Sequence, residues 1–263
     1  MNPKVSVLVP VYNAASFLRT TISSVLNQTF SDFELILLND CSTDNSEEII
    51  SEFHDERIRY YKNKSNLGIS PTRNKLMELA RGEYLAVLDN DDVCRQDRLE
   101  KQVKYMDSHK DISIVGSYFE LFDSTKRSFL RRFILSLGIV WCHPEFPTAK
   151  DALKGIVLAH PTAMIRKKDF VEHNIKYNEI YTPAEDYDLI KQAMFKGLKI
   201  ANIPDVLMFY NLHGGNCSIQ QKEKIIASTN KIQQEIAFFW DLPFKKYPRW
   251  KVIAEKLRLR RFI

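Results

Sequence analysis

The sequence has few cysteines, and they are too widely spaced to act together. The chain has four, Cys41, Cys94, Cys142 and Cys217, and no two of them form a C-x-x-C pair. This spacing argues against a disulfide framework and against a cysteine zinc site. We therefore expect reduced thiols and a cytoplasmic protein.

Long hydrophobic runs and glycine-rich phosphate loops are also absent. No apolar stretch reaches the roughly 20 residues that a membrane-spanning helix needs. Residues 1–4 lead directly into a predicted strand, so we expect no signal peptide. No G-x-G-x-x-G follows the first predicted strand, and no G-x-x-x-x-G-K-[ST] occurs. Dinucleotide-binding and P-loop domains are therefore not expected.

Basic residues are concentrated at the C-terminal end. The chain has 38 Lys and Arg against 33 Asp and Glu, a net charge of +5. Residues 245–263 hold eight of the basic residues and one acid, which leaves 30 basic and 32 acidic residues in 1–244. The segment also carries aromatic side chains and suits an anionic membrane surface. A solvated helix packed on the domain is an equal alternative, and no nucleic-acid recognition module accompanies it.

Strands and helices alternate four times within the first ninety or so residues. Four buried strands are predicted, at residues 5–12, 33–38, 58–61 and 84–88. This alternation predicts a parallel sheet with right-handed crossovers. Polar loops at 39–46, 66–74 and 89–92 follow strand ends, so we expect them to share one rim of the sheet.

The densest group of acids follows the fourth of these strands. Asp89, Asp91 and Asp92 are three carboxylates within four residues. Carboxylates this crowded repel one another unless a divalent cation neutralises them, and hard oxygen ligands suit Mg2+ or Mn2+. An acidic turn that caps the following helix, with Asp92 or Asp97 as the N-cap, is the alternative.

The second half of the chain is less regular. Residues 133–142 are apolar but too short to cross a bilayer, and we favour a place in the core over docking on a membrane. Further predicted elements are a helix from Arg95, a strand at 112–122, a return to the sheet at 160–165, a helix entered at 182–190 and ended by Gly197, and a strand at 206–210.

Six short motifs occur along the chain in a particular order. They are residues 5–13, Asp40-x-Ser42-x-Asp44, Asn66-Leu67-Gly68 with Arg73-Asn74, Asp89-x-Asp91-Asp92, Glu185-Asp186, and a late strand followed by His213. Together they resemble family 2 glycosyltransferases over residues 4–218. The resemblance implies an α/β GT-A fold, Rossmann-like, with a mixed and mainly parallel sheet flanked by helices.

The same resemblance implies a domain organisation. Residues 1–218 are expected to form the GT-A domain, with a nucleotide-binding half at 1–110 and an acceptor-binding half at 111–218. Residues 219–263 are then a C-terminal helical basic tail.

Donor-binding residues are expected at the ends of the first strands. Asp40 can accept from uracil N3–H, a role that the resemblance also implies, although a helix cap is the alternative. Pro10 fits only near the end of its strand, and Tyr12 can stack on the base or serve as a buried structural tyrosine. Arg73 can pair with phosphate or base oxygens, or it is a solvated helical arginine.

The resemblance also implies metal ligands. In similar enzymes the first acid of D-x-D, here Asp89, lies near the ribose or the metal, and the last, here Asp91, binds Mn2+ or Mg2+. His213 follows a strand where related enzymes can place a further metal or pyrophosphate ligand, although a histidine in a glycine-rich loop is often structural. Many relatives have arginine where Asn211 stands, which weakens any phosphate contact from this loop.

A general base is expected at a helix start, where the helix dipole favours negative charge. The resemblance makes Asp186 the base that takes a proton from the acceptor hydroxyl in an inverting displacement. Glu185 is expected to contact the acceptor or donor sugar, and Asp188 to be a solvated helical residue. Plain N-terminal charge bias is the alternative for the pair Glu185–Asp186.

The resulting hypothesis is a metal-dependent transfer of a hexose or N-acetylhexosamine from a UDP-sugar to a saccharide or glycolipid hydroxyl. Synthesis of surface polysaccharide, lipopolysaccharide or lipid-linked oligosaccharide is the expected setting, at the inner face of the cytoplasmic membrane. One alternative is a haloacid-dehalogenase-like phosphatase with Asp89 as nucleophile, but such proteins usually carry that residue on their first strand. A non-catalytic protein that binds nucleotide sugars is the other.

Overall fold

The computed structural model describes residues 2–124, 138–244 and 257–259. The strands are β1 (Val5–Val11), β2 (Phe33–Asn39), β3 (Ile58–Lys62), β4 (Tyr84–Val87), β5 (Val93–Cys94), β6 (Ile112–Phe122), β7 (Ile139–Trp141), β8 (Met164–Arg166), β9 (Lys199–Asn211) and β10 (Leu257–Leu259). The α-helices are α1 (Ala15–Leu26), α2 (Ser46–Ser51), α3 (Ile69–Leu79), α4 (Arg98–Ser108), α5 (Ala149–Lys154), α6 (Lys167–Glu172), α7 (Glu185–Phe195), α8 (Cys217–Gln220) and α9 (Lys222–Phe239).

The first four strands form a parallel sheet in the order β3-β2-β1-β4. Every residue of β1 and β2 is buried, because central parallel strands are covered by helices on both faces. Val5 lies level with Phe33 of β2 and Tyr84 of β4, so the strands start together. The predicted parallel arrangement is confirmed.

The second half of the sheet is mixed. From β4 the order continues β8-β6-β7-β10, and each of these neighbours is antiparallel, whereas β9 runs parallel to β6. The short β5 pairs with β9 through Val93–Phe209 and Cys94–Met208. This pairing draws the loop that follows β9 toward the acids that follow β4.

Several element boundaries differ from those predicted. The strand expected at 206–210 is the end of the longer β9, and the helix expected from 182 begins at Glu185. The helix α3 ends at Leu79, three residues before Gly82, and the φ of Gly82 is not positive. A Cβ atom on Gly82 would lie 2.6 Å from Ser6 N and 2.8 Å from Val5 C. Gly82 is therefore needed for close approach to β1, not as a helix cap.

Two apolar layers cover the faces of the sheet. One contains side chains of α3, α7 and α9, and the other contains side chains of α1 and α4. Within the apolar segment predicted at 133–142, Val140 of β7 is fully buried, in line with a place in the core. Residues 133–137 of that segment lie outside the described residues.

The predicted helical tail, residues 219–263, is described only in part. Ile232, Ile236 and Ala237 of α9 are buried in the core, so this helix is part of the domain. Residues 257–259 form β10, an edge strand antiparallel to β7, and not a helix. The rest of the basic segment, 245–256 and 260–263, lies outside the described residues. None of the helices in the described part of the chain combines the length and apolar character needed to cross a membrane.

Candidate active site

The loops that follow β2, β3 and β4 meet at one rim of the sheet, as predicted, since Asp40 bonds to Leu67 and Gly68 and Arg73 pairs with Asp89. The backbone N–H of Asp40, just past β2, donates to Val11 O at 2.8 Å. The side chain of Asn90 donates to the carbonyl of Pro10 at 3.0 Å, which ties the acidic loop to the end of β1. Tyr12 is 47% exposed beside these loops, so it is not a buried structural tyrosine.

Side chains of the motif Asp40-x-Ser42-x-Asp44 join the first two loops. The N–H of Asn13, whose φ is 48°, donates to Ser42 Oγ at 3.1 Å. Asp44 Oδ2 accepts from the N–H of Ala15 at 2.9 Å, so it satisfies a free N–H in the first turn of α1. These two motif residues therefore organise the rim.

Asp40 is buried, and its carboxylate orders the loop between β3 and α3. It accepts from Asn63 Nδ2 at 2.8 Å, from Leu67 N at 2.9 Å and from Gly68 N at 2.9 Å. Gly68 has a φ of 85°, which favours glycine. Since a carboxylate offers about four acceptor positions, one remains for a further donor. The nucleobase contact stays a prediction.

Arg73 connects the two groups of acids that the sequence singled out. Its Nη2 donates to Asp89 Oδ1 at 2.8 Å, and its Nη1 donates to Glu185 Oε1 at 2.7 Å. Arg73 is only 8% exposed, which excludes a solvated helical arginine. Burial lowers the pKa of Arg73, but the two carboxylates outweigh burial and raise it above its ordinary value.

Asp186 lies beside this ion-pair bridge in the first turn of α7. Its Oδ1 accepts from the N–H of Tyr187 at 2.7 Å, and its side chain is partly exposed. Burial raises the pKa of Asp186 to about 7, the charge of Glu185 adds to the rise, and Arg73 opposes it. A carboxyl group with such a pKa is suited to general base catalysis near neutral pH.

The three acids after β4 have different environments. Asp89 pairs with Arg73, whereas Asp91 Oδ2 accepts from His213 Nε2 at 2.8 Å. Asp92 is fully buried, its Oδ1 accepts from Asn211 N at 2.9 Å, and its Oδ2 has no hydrogen-bond partner. Burial raises the pKa of Asp91 and raises that of Asp92 further, and neighbouring acids add to both shifts.

His213 is held in one orientation. Its Nδ1 accepts from the N–H of Gly215 at 3.1 Å, so the neutral ring carries its proton on Nε2 and donates it to Asp91. The ring of Phe17 stacks on it with a centroid distance of 4.4 Å. The sequence predicted neither Phe17 nor the nearby Asn216, whose Nδ2 bonds to Asn211 O at 3.0 Å.

The donor set of this loop fits a hard divalent cation. Within residues 2–124 and 138–244, no three His, Cys, Asp or Glu side chains are grouped as a metal site. Mg2+, however, usually takes one or two carboxylates and completes its shell with substrate phosphates and water. Asp89 and Asp91 are both half-buried and provide such oxygens two positions apart in the chain, whereas Asp92 is fully buried.

Two alternatives for individual acids are resolved. Asp97 is the N-cap residue of α4, but its side chain makes no capping hydrogen bond, and Asp92 lies outside the helix. Asp188, predicted to be solvated, is buried and forms a salt bridge with Lys191 at 2.6 Å, so that prediction was wrong. Because Asp188 follows Glu185 and Asp186 in the first turn of α7, the sequence pattern did not distinguish it from a solvent-exposed helical acid.

Solved structures of proteins in complex with nucleotide sugars share this fold. S. aureus TarS 1–349 in complex with UDP-GlcNAc matches with a TM-score of 0.71 at 20% identity, over 89% of this chain and 66% of that one. The mannosyltransferase PcManGT from Pyrobaculum calidifontis, in complex with GDP-Man and Mn2+, matches with a TM-score of 0.66 at 16% identity, over 97% and 69% of the two chains. The chain thus has the GT-A fold and spans about two thirds of the TarS fragment.

Similarity in sequence identifies the protein family to which the chain belongs. The sequence profile described as Glycosyl transferase family 2 matches residues 6–173. An uncharacterized glycosyltransferase of Haemophilus influenzae is 31% identical over 239 residues, 89% of this chain and 73% of the relative. Escherichia coli WfaP, a UDP-Glc:alpha-D-GlcNAc-diphosphoundecaprenol beta-1,3-glucosyltransferase, is 28% identical over 229 residues, 87% of this chain and 85% of WfaP. The chain belongs to glycosyl transferase family 2 and is a glycosyltransferase. The alternatives of a phosphatase and of a non-catalytic protein are therefore not supported.

Proposed function

We propose that this enzyme transfers a hexose or N-acetylhexosamine from a UDP-sugar to a saccharide hydroxyl with inversion at the anomeric carbon. The observation that carries the proposal is the ion-pair bridge Asp89–Arg73–Glu185, in which both contacts are shorter than 3 Å. It brings the acids after β4 next to the helix start that bears Asp186. A donor held at the former therefore lies within reach of a base at the latter.

The donor nucleotide is assigned to the rim formed by β1 and β2. Tyr12 has an exposed ring that can stack on a base, and Asp40 keeps one acceptor position for uracil N3–H. Pro10 is the second-last residue of β1, next to them. Because Arg73 is committed to two carboxylates, its contribution to the donor site acts through Asp89. The UDP-Glc named for WfaP and the UDP-GlcNAc bound to TarS support uridine over guanosine.

Asp91, with Asp89 and His213, is assigned to hold Mn2+ or Mg2+. When bound, the cation would act as a Lewis acid that neutralises the departing diphosphate. His213 can reach it only by giving up the hydrogen bond to Asp91. The Mn2+ in the PcManGT complex supports a divalent cation for this fold.

The chain's own residues then carry the proton and position the sugar. The acceptor hydroxyl oxygen bonds to the anomeric carbon as the bond from that carbon to the diphosphate oxygen breaks. Asp186 accepts the hydroxyl proton, which its raised pKa favours. Glu185 is assigned to the sugar, because its Oε2 is buried without a partner and can accept from a sugar hydroxyl.

We place the acceptor at the inner face of the cytoplasmic membrane, as a lipid-linked saccharide. The diphosphoundecaprenol acceptor named for WfaP supports this class. Phe238 at the end of α9 is 91% exposed, and the basic segment 245–263 follows it. Exposed aromatic rings beside Lys and Arg are typical of anionic membrane surfaces.

Replacement of Lys245, Lys246, Arg249 and Lys251 by Gln tests the membrane contact, since it leaves residues 257–259 in place. We expect weaker binding to phosphatidylglycerol vesicles, with added salt weakening the wild type in the same way. Vesicles of phosphatidylcholine alone are the control. Equal binding of the variant and the wild type to anionic vesicles would contradict the proposed contact.

A transfer assay tests the function itself. Purified enzyme is incubated with a panel of UDP-sugars, Mn2+ and undecaprenyl-diphosphate-linked N-acetylhexosamines, and products are identified by mass spectrometry and NMR. We expect one UDP-sugar to yield a disaccharide whose new anomeric linkage is opposite to that of the donor. A product with retained configuration, or transfer only from a GDP-sugar, would overturn the proposal.

A further inference from the structure

Side chains on one face of α3 hold the segment that leads into α7. Ser70, Arg73 and Asn74 are spaced three and four residues apart, so they lie on the same side of the helix. Ser70 Oγ lies 2.9 Å from Thr182 Oγ1, and Arg73 pairs with Glu185 at 2.7 Å. The helix α3 thereby contacts both the segment before α7, at Thr182, and the first residue of α7, Glu185.

Asn74 contacts this segment through two hydrogen bonds, because its carboxamide binds both the backbone N–H and the backbone C=O of Tyr177. Its Nδ2 donates to Tyr177 O at 2.8 Å, and its Oδ1 accepts from Tyr177 N at 2.8 Å. The two bonds imitate the exchange between paired residues of neighbouring strands. Because a carboxamide offers a donor and an acceptor side by side, Asn74 can fix the position of Tyr177 relative to α3.

The ring of Tyr177 in turn supports Arg73. The guanidinium carbon of Arg73 lies 5.6 Å from the ring centroid, within the range of a cation–π contact. The Tyr177 hydroxyl lies 2.7 Å from Nε2 of His160, and both side chains are buried. Burial lowers the pKa of His160 well below its ordinary value, so the imidazole is neutral. Tyr177 is therefore held at its backbone and at its hydroxyl.

We infer that Asn74 and Tyr177 are positioning residues for the transfer reaction, acting through Arg73 on Glu185 and Asp186. The inference rests on the proposed function. Neither side chain belongs to the donor rim: the ring of Tyr177 contacts the guanidinium that holds Glu185, and Asn74 binds the backbone of Tyr177. Without them, Arg73 can shift and release the turn that bears the base. Since a displacement of about 1 Å can cost about 10²-fold in rate, kcat should suffer more than donor binding.

The test compares Asn74→Ala, Tyr177→Leu and Tyr177→Phe with Asn202→Ala. Asn202 is a matched control: it is buried, and its Nδ2 donates to Pro144 O at 2.8 Å and Val157 O at 3.0 Å. It lies nine residues before Asn211 on β9, away from the rim. We measure kcat and the KM for the UDP-sugar, and hydrogen–deuterium exchange over residues 177–188.

We expect Asn74→Ala and Tyr177→Leu to lower kcat about tenfold or more while KM for the donor changes less than about threefold. Tyr177→Phe, which keeps the ring, should retain more kcat than Tyr177→Leu, and Asn202→Ala should retain the wild-type kcat. Exchange over 177–188 should rise in Asn74→Ala and in Tyr177→Leu but not in Asn202→Ala. Unchanged exchange there overturns the inference whatever the activity, and so does a kcat loss matched by Asn202→Ala. An inactive wild type instead counts against the proposed function.

Discussion

Asp186 is the residue on which the proposed chemistry depends most directly. Replacement of Asp186 by Asn keeps the size of the side chain but removes its ability to accept a proton. We expect turnover to fall by about 10²-fold or more. UDP binding should be retained, because the donor rim lies on β1 and β2. Steady-state turnover and UDP titration of the same preparation measure both quantities, and normal turnover would assign the base to another residue.

The raised pKa of Asp186 predicts a pH dependence. Burial, reinforced by Glu185, raises this pKa to about 7, and only the deprotonated form can act as a base. The value of kcat/KM should therefore rise with pH and level off above about pH 7. At one unit below the pKa it should be lower by about tenfold. A pH profile of kcat/KM measures this, and a flat profile between pH 5.5 and 8 would be incompatible with Asp186 as base.

Asp91 accepts a hydrogen bond from His213, whereas Asp89 is the acid of this loop that pairs with Arg73. We expect Asp91→Ala to abolish the gain in UDP affinity that Mn2+ produces, because the cation loses its main carboxylate. Titration calorimetry with UDP, with and without Mn2+, measures the effect. Arg81→Ala, at an exposed position of the same half, is the control. An Mn2+ effect of wild-type size in the variant would remove Asp91 as a ligand.

The sequence pattern predicted the acids of the site but not the side chains that position those acids. Asp89, Asp91 and Asp186 stand next to predicted strand and helix ends, where the local pattern makes them visible. Phe17 and Tyr177 have no such pattern, since each meets its partner only after distant segments pack, and Asn216 bonds to Asn211 within a loop that no periodicity marks. Asn74 belonged to a recognised motif, yet its bond to Tyr177 joins residues 103 positions apart.

At the scale of elements, the connection from α3 to β4 passes close to the backbone of β1. A Cβ on Gly82 would lie 2.6 Å from the backbone nitrogen of Ser6 and 2.8 Å from the carbonyl carbon of Val5. Since these backbone atoms lie in a central strand, they cannot give way. We expect Gly82→Ala to reduce the free energy of unfolding by about 1–3 kcal/mol or more.

Urea denaturation of the purified variant measures this loss. The expected result is a lower midpoint with an unchanged slope, which indicates lost stability without a change in the exposed surface. Arg81→Ala, at the neighbouring position, is again the control for the chain segment. A midpoint equal to that of the wild type would show that β1 can move away, against the close approach seen here.

Long, regular elements were predictable, and short ones were not. Apolar runs that alternate with helical patterns indicate the strands β1 to β4. The strands β5, β7 and β10 have two or three residues each, too few for a periodicity. The start of β9 was missed because Asn202, Pro204 and Asp205 interrupt its apolar pattern. Pairing with β6 overrides that local preference, at the cost of register shifts near Ser117 and Tyr118.

At the scale of the whole molecule, one continuous sheet joins the two predicted halves. Residues 84–87 pair with β1 on one side and β8 on the other, so the acids after β4 stand where the halves meet. Antiparallel β8 and the helix α7 then bring Glu185 and Asp186 to the same rim. The order of the motifs predicted this architecture through the family resemblance, but the crossing from β4 to β8 required the three-dimensional structure.

We propose that the rim of the sheet binds a uridine diphosphate sugar together with a divalent cation. The most direct test is the thermal unfolding of the purified protein with UDP, GDP, ADP and a panel of UDP-sugars, each with and without Mn2+. A ligand of the folded state raises the unfolding temperature by mass action. We expect a shift with UDP and with one UDP-sugar that grows when Mn2+ is present. A shift with GDP but not UDP, or no effect of Mn2+ on any nucleotide, would contradict it.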